Sequence, residues 1–398
     1  MIKGAQVVTG FLFIYLLISF CGCDAWSWLK SSFSDNVPVA ANSGRTRFQV
    51  DTIVKGLTAP WAIEFADSNW IFITEKPGRL RIIKNGKLQS EPVKAVPQVH
   101  EEGQGGLLDI KLHPEFSTNK FLYLAYTLKE SDMMTRIARY TFTEEGLKDE
   151  KIIFPGISGS GKTMHFGCRM QFGKDGKLYF TLGERHEGDR AQNLLDLNGS
   201  TIRLNEDGSV PSDNPFVNRK DALPEIFSYG HRNPQGMDIH PESGLIFQTE
   251  HGPTWSDGPG GGDEINIVER GNNYGWPVIH HRQEKEGMVS PLVEYTPAIA
   301  PSGASFYTGD VFPEWKNNLF VAALVGKAVI RLVIEDRKVT GQEFLVQKKY
   351  GRIRDVEEGP DGYIYFLTSE TDQYGDGRKE GDMLMRIIPE MNNNKEGK

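Results

Sequence analysis

The most constraining feature of this chain is a unit that recurs six times. Short aromatic and aliphatic runs, most of them ending in Thr or Ala, occur at Trp70–Thr74, Phe121–Thr127, Leu178–Thr181, Leu245–Thr249, Leu319–Ala323 and Tyr363–Thr368. Their composition is that of β-strands, and two follow the turn dipeptides Asp175-Gly176 and Asp361-Gly362. A second run of alternating or branched apolar residues follows each: Arg79–Ile83, Arg136–Phe142, Thr201–Leu204, Glu264–Val268, Val329–Ile334 and Met383–Ile388. Six units of roughly sixty residues are in the range of propeller blades. Helical periodicity is almost absent. The reading is therefore all-β, a six-bladed β-propeller over residues 47–390. A large β-sandwich would share the short strands, but it does not call for six paired units. Phe48–Val54 is a strand without a blade of its own. It is expected to pair with Met383–Ile388, closing the ring and leaving no open edge.

The ends of the chain point to export. Lys3 precedes the apolar run Val7–Phe20, which is short for a bilayer span, and Cys21-Gly22-Cys23 follows. This is the layout of a signal peptide over residues 1–23. Cys23 after the small Gly22 also resembles a bacterial lipoprotein cleavage site, so the expected location is periplasmic or lipid-anchored at a membrane. Residues 24–46 read as a flexible tether and 391–398 as a polar tail. Only three cysteines occur, and Cys168 is the one outside the leader, so no internal disulfide framework is available. A net charge of −8 without a basic block argues against nucleic acid as a partner. With 43 Gly, 21 Pro, 22 Phe and 13 Tyr, the composition is that of a turn-rich β protein.

Special residues crowd into 229–277: Tyr229-Gly-His-Arg-Asn-Pro-Gln-Gly236, Glu250-His-Gly-Pro253, Gly261-Gly-Asp-Glu-Ile-Asn266 and Asn273-Tyr-Gly-Trp-Pro277. Arg232 and Asn233 in a turn before Pro234 could grip an oxygen-rich ligand. The Gly252-Pro253 turn presents backbone carbonyls of the kind hard cations prefer, with Asp263 and Glu264 nearby. Taken singly, each fragment reads better as loop shaping and solvated charge.

In this order, the block resembles the PQQ-dependent soluble glucose and aldose sugar dehydrogenases, whose signature runs through RNPQG, a glycine-proline turn, DEIN and NYGWP. The resemblance extends from about residue 50 to residue 390. It implies pyrroloquinoline quinone (PQQ) over the mouth of a propeller channel and calcium as a second cofactor. His165, in Met164-His-Phe-Gly-Cys-Arg169, then stands as the base that takes the anomeric hydroxyl proton of an aldose. Gln104 lies beside cofactor and substrate, Arg232 and Asn233 contact the cofactor, and Arg352 and Arg354 hold its carboxylates. Arg232 also stabilises charge gathering on the quinone oxygens. Gly252 and Pro253 give backbone oxygens to one calcium ion, and Glu264 and Tyr274 ligate a second. The resemblance further implies a PQQ-contacting lysine directly after the strand at 319–324. Lys327 stands two positions later and is the candidate. Two more departures concern the substrate side, the stretch Thr296–Ala300 and the enlarged loop Thr254–Gly260, which could narrow access.

Gly258–Gly262 lacks the strand–turn–helix setting of a dinucleotide site. No haem-type cysteine spacing occurs either, so electrons must leave through an external acceptor, a quinone or a cytochrome. Two other readings stand beside the dehydrogenase. One is a calcium-dependent lactonase-type hydrolase drawing channel carboxylates from Glu64, Glu184 and Asp238; the other is a non-catalytic extracellular ligand-binding propeller.

Overall fold

In the computed structural model, residues 46–390 are described; the leader, the polar tail and all but the last residue of the tether lie outside them. Twenty-four strands form six four-stranded antiparallel sheets. Each predicted pair forms the second and third strands of a blade, for example Trp70–Glu75 with Arg79–Lys84 and Leu319–Ala323 with Ala328–Glu335. The inner strands are Pro60–Asp67, Leu107–Leu112, Met170–Phe172, Pro234–Ile239, Pro301–Phe306 and Ile353–Glu358. Each touches the inner strands of the neighbouring blades, so the six form a closed ring. The architecture is a six-bladed β-propeller.

Closure follows the expected route. Phe48–Leu57 runs antiparallel to Asp382–Pro389, from Phe48 opposite Pro389 to Leu57 opposite Asp382, and supplies the outer strand of blade 6. The chain's many aromatic residues fill the seams between blades. Phe72 meets Phe142 at 5.0 Å, Phe154 meets Phe180 at 5.1 Å, and Phe247 meets Phe306 at 5.1 Å. Phe65 and Tyr365, at 4.9 Å, seal blade 1 to blade 6. Such pairs add to the apolar burial that holds neighbouring sheets together. The two turn dipeptides are built alike: Tyr179 donates its hydroxyl to Asp175 Oδ2 (2.9 Å), and Tyr365 donates to Asp361 Oδ2 (2.7 Å). Among the described residues no helix is long and apolar enough to cross a membrane.

The inner strands carry charge into the channel. Arg169, just ahead of the blade 3 inner strand, pairs with Asp109 of blade 2 and Asp355 of blade 6, each at 3.0 Å. Its Nε donates to the Gln235 carbonyl of blade 4 at 3.2 Å, and its guanidinium lies 4.5 Å from the Trp61 ring of blade 1. One side chain thus ties five blades together at the axis. Burial pushes Asp109 up to about 7, against the opposing pull of Arg169.

Candidate active site

Inner strands begin, and second strands end, on the same face of the propeller. Chemistry-bearing residues from blades 1, 2, 3, 4 and 6 therefore gather around one mouth. His165 precedes the blade 3 inner strand, and Glu184 follows that blade's second strand. The two meet: His165 Nδ1 lies 2.6 Å from Glu184 Oε2, with both side chains buried. The approach is close because the backbone allows it. A Cβ at Gly183 would fall 2.3 Å from the His165 carbonyl oxygen, so only glycine fits there. His165 itself adopts φ +54°, a left-handed conformation that a non-glycine residue holds only under outside constraint. Two contacts supply the constraint. The Gln104 side-chain oxygen accepts from His165 N at 2.9 Å, and Arg185 donates to the carbonyls of Met164, Met133 and Lys162.

Burial holds the His165 imidazole well below the ordinary histidine value, with Arg232 and His186 adding to the effect. Burial also raises Glu184, to about 7. Above that pH the pair is a neutral imidazole beside a carboxylate. Nδ1–H then donates to Glu184, and Nε2 is left with a lone pair. Glu184 was read from sequence only as a hydrolase carboxylate. Its companions in that reading, Glu64 and Asp238, line a separate cavity of about 820 Å³ at the far ends of the inner strands. The three carboxylates do not converge.

Next to His165 lies a cavity of about 270 Å³ whose lining includes Trp61, Lys76, Gln104, His251, Arg352 and Arg354. Its charge is unbalanced. Lys76 lies 2.9 Å from Asp372, and Arg354 reaches the same carboxylate at 3.6 Å while donating to Gln235 Oε1 at 3.1 Å. Arg352 Nε is buried without a partner. Burial pulls Arg354 down to about 10 and lowers Arg352 as well, against the attraction of Asp372. Lys76 and Arg354 thus share Asp372, and Arg352 beside them forms no ion pair among the described residues. A planar, multiply anionic ligand would relieve that desolvated charge. The residues present fit PQQ on this ground.

Arg232 approaches from blade 4, where its backbone N–H bonds the Glu250 carboxylate. Its guanidinium is held by Asp257 Oδ2, at 2.8 Å from Nε and 2.7 Å from NH2, and by the His251 carbonyl at 3.1 Å. Asp257 belongs to the enlarged loop, and its Oδ1 accepts from Thr254 N at 2.8 Å. One carboxylate therefore fixes the loop's turn and fastens the loop to Arg232. Asn233 Oδ1 accepts from Gln235 Nε2 at 3.1 Å and from Gly167 N at 3.4 Å, which spans the turns of blades 3 and 4.

The Gly252-Pro253 turn is buried, and a Cβ at Gly252 would fall 2.2 Å from the Gly262 carbonyl oxygen. Gly252 N donates to Asp263 Oδ1 at 2.8 Å. Among the described residues no backbone donor outside the strand ladders reaches the carbonyls of Gly252 or Pro253. Glu250, Glu264 and Glu294 stand opposite one another across three strands of blade 4. Desolvation and the neighbouring carboxylates push Glu264 well above the ordinary range. Tyr274 is near this row: its ring stacks on His231 at 4.7 Å, and His231 Nδ1 lies 3.0 Å from Glu250 Oε2. Like charges in register repel, and a cation would offset them. Both sets of oxygens fit calcium.

Of the cofactor candidates, Gln104, Arg352 and Arg354 line the cavity, Arg232 and Asn233 stand beside it without lining it, and Lys327 is turned to the surface. It adopts φ +50° in the turn after the blade 5 second strand, and its ammonium lies 3.3 Å from Asp376 on the surface. Lys76 occupies the cavity instead. It directly follows the strand ending in Glu75, and Glu184, His251 and Asp372 likewise lie in the short loops that leave their blades' second strands. Charged residues in those loops are the sequence signal that points to Lys76, Glu184 and Asp372.

Comparison with known proteins follows the same line. The sequence model for glucose/sorbosone dehydrogenases matches residues 57–376. The aldose sugar dehydrogenase YliI of Escherichia coli is 37% identical over 340 residues, 81% of this chain and 90% of its own. Quinoprotein glucose dehydrogenase B of Acinetobacter calcoaceticus is 28% identical over 444 residues, covering 86% of this chain and 90% of its own. The structure of the PQQ-bound aldose sugar dehydrogenase from Streptomyces coelicolor matches with a TM-score of 0.75 at 27% identity, over 87% of this chain and 99% of that one.

Proposed function

The chain belongs to the glucose/sorbosone dehydrogenase family, and from that premise we propose that it is a PQQ- and calcium-dependent dehydrogenase oxidising an aldose at C1 to the lactone. The observation that carries this reading is the pairing of a buried neutral imidazole with an adjacent cationic cavity short of anions. Bound PQQ would supply the two-electron acceptor.

The chain's own residues do the rest. Lys76, Arg352 and Arg354 would hold the cofactor's carboxylates; Arg232, Asn233 and Gln104 would face its ring and the sugar. Carbonyls of Gly252 and Pro253 would hold one calcium ion, and Glu264 with the Tyr274 carbonyl a second. His165 Nε2 takes the proton of the anomeric hydroxyl, while Glu184 fixes the ring's tautomer and stabilises the imidazolium that forms. Arg232 places positive charge where negative charge develops. Electrons leave to an external quinone or cytochrome. Export of the protein, with lipid attachment at Cys23, belongs to the same reading.

The test is reconstitution. Cofactor-free protein is given PQQ and calcium, and reduction of a dye is followed with a panel of aldoses. Turnover that requires both PQQ and sugar, and is lost in His165→Ala, supports the reading. Failure to bind PQQ at micromolar concentration overturns it.

A further inference from the structure

We infer that the surroundings of His165 also form a site for a divalent transition-metal cation of the zinc class, held by His165, Glu184, His186 and Asp257. One ligand atom from each of these four side chains lies within 4.8 Å of the others. Bonds of about 2.0–2.2 Å to a central ion would close that spread with small side-chain movements. His186 Nδ1 stands 3.8 Å from Asp257 Oδ2, and the rings of His165 and His186 meet edge to face at 5.1 Å.

A second, independent observation points to a ligand. Glu184 Oε1 and His186 Nδ1 are both buried without a hydrogen-bond partner, and Glu184 as a whole is 1% exposed. A carboxylate oxygen left so is costly, and a cation is the group that would satisfy it. The donor set selects the ion. Two imidazoles with two carboxylates suit zinc and its neighbours, whereas calcium takes six to eight oxygens. This site is therefore chemically distinct from the carbonyl oxygens of Gly252 and Pro253. Arg232 opposes the ion because its guanidinium rests on Asp257. Arg185 acts on His165 and Glu184 as well, so two carboxylates face two guanidiniums, and the unpartnered donor atoms rather than net charge argue for the ion.

Binding would have a consequence. An ion taking the His165 imidazole and Glu184 removes the proton acceptor, so zinc would switch off the reaction. That consequence rests on the function proposed above; the binding itself does not.

The experiment titrates the cofactor-free full chain with zinc chloride by calorimetry, beside a calcium chloride titration, with melting curves recorded for every variant. One zinc per chain is expected at micromolar affinity or tighter. The affinity should fall about tenfold or more in both His186→Ala and Asp257→Asn, and calcium should not compete. Absence of stoichiometric zinc binding up to about 100 µM, or equal affinity in two variants that melt like the parent, overturns the site. Zinc should also stop sugar-dependent dye reduction in the parent, and His186→Ala should relieve that inhibition. If zinc binds as described but leaves turnover intact, the site stands and the role of His165 as base falls.

Discussion

Two groups of buried arginines lie within one ring-width of each other on the channel axis, and they are treated in opposite ways. Arg169 is closed on itself by protein, with Asp109 and Asp355 each at 3.0 Å and the Gln235 carbonyl on Nε. By contrast, Arg354 shares one carboxylate with Lys76, and the half-buried Arg352 forms no ion pair among the described residues. Trp61 touches both groups, 4.5 Å from Arg169 and 5.7 Å from Arg354. The first group has its counter-charges within the chain and is structural. The second is incomplete in a way that only a ligand would finish. What separates a fastener from a binding site here is whether the opposing charge is supplied by the chain.

The contrast can be broken by substitution. Removing Arg169 leaves two buried carboxylates without their partner, so Arg169→Ala should cost about 3–5 kcal/mol in urea unfolding. If it costs under about 1 kcal/mol, the plug is not the fastener described. His165→Ala should leave the melting temperature near that of the parent while kcat falls by about 10²–10⁴. Arg354→Ala tests the second group directly. Cofactor-free stability should change by no more than about 0.5 kcal/mol, because the guanidinium lost is one held against its own desolvation. PQQ affinity, followed by fluorescence quenching, should weaken about tenfold or more.

The pH dependence sharpens the picture. Glu184 must be ionised to accept from Nδ1–H, and burial sets its titration at about 7. Sugar oxidation should therefore rise with pH through that value, and Glu184→Gln should lose that limb in a pH–rate profile. The smallest effect belongs to the glutamate row of blade 4. In calcium-free buffer Glu264→Gln should stabilise the fold by about 0.5–1 kcal/mol, since one like charge leaves the row. The same variant should no longer gain melting temperature when calcium is added.

The fold was legible where strands are apolar, and illegible where they face the channel. The second strands of every blade are packed on both faces, so runs such as those at 319–323 and 364–368 announce themselves. The inner strands alternate into a charged axis: Leu-Leu-Asp-Ile-Lys-Leu at 107–112 and Ile-Arg-Asp-Val-Glu-Glu at 353–358 do not look like core. His165, Gln104, Arg232, Arg352 and Arg354 could be singled out from sequence because they sit in an ordered set of motifs. Lys76 and Asp372 could not, because each follows its strand without a motif around it. Their meaning lies in being neighbours across the ring, from blades 1 and 6. Asp257 was hidden for a different reason. Thr254–Gly260 stood out from sequence only for its length, and only the folded turn shows its carboxylate reaching Arg232.

The strand that completes blade 6 orders events in time. Phe48 pairs with Pro389, so the first strand to be synthesised waits for the last. Five blades can form as the chain lengthens, but the ring cannot lock until its final strand arrives. That late, long-range step carries the loop-closure entropy of nearly the whole chain. Until it occurs, the outer strand of blade 6 has no partner. A nascent chain of this design stays openable until Asp382–Pro389 is made, and a truncation of a few residues at either end of the ring would leave it without a lock.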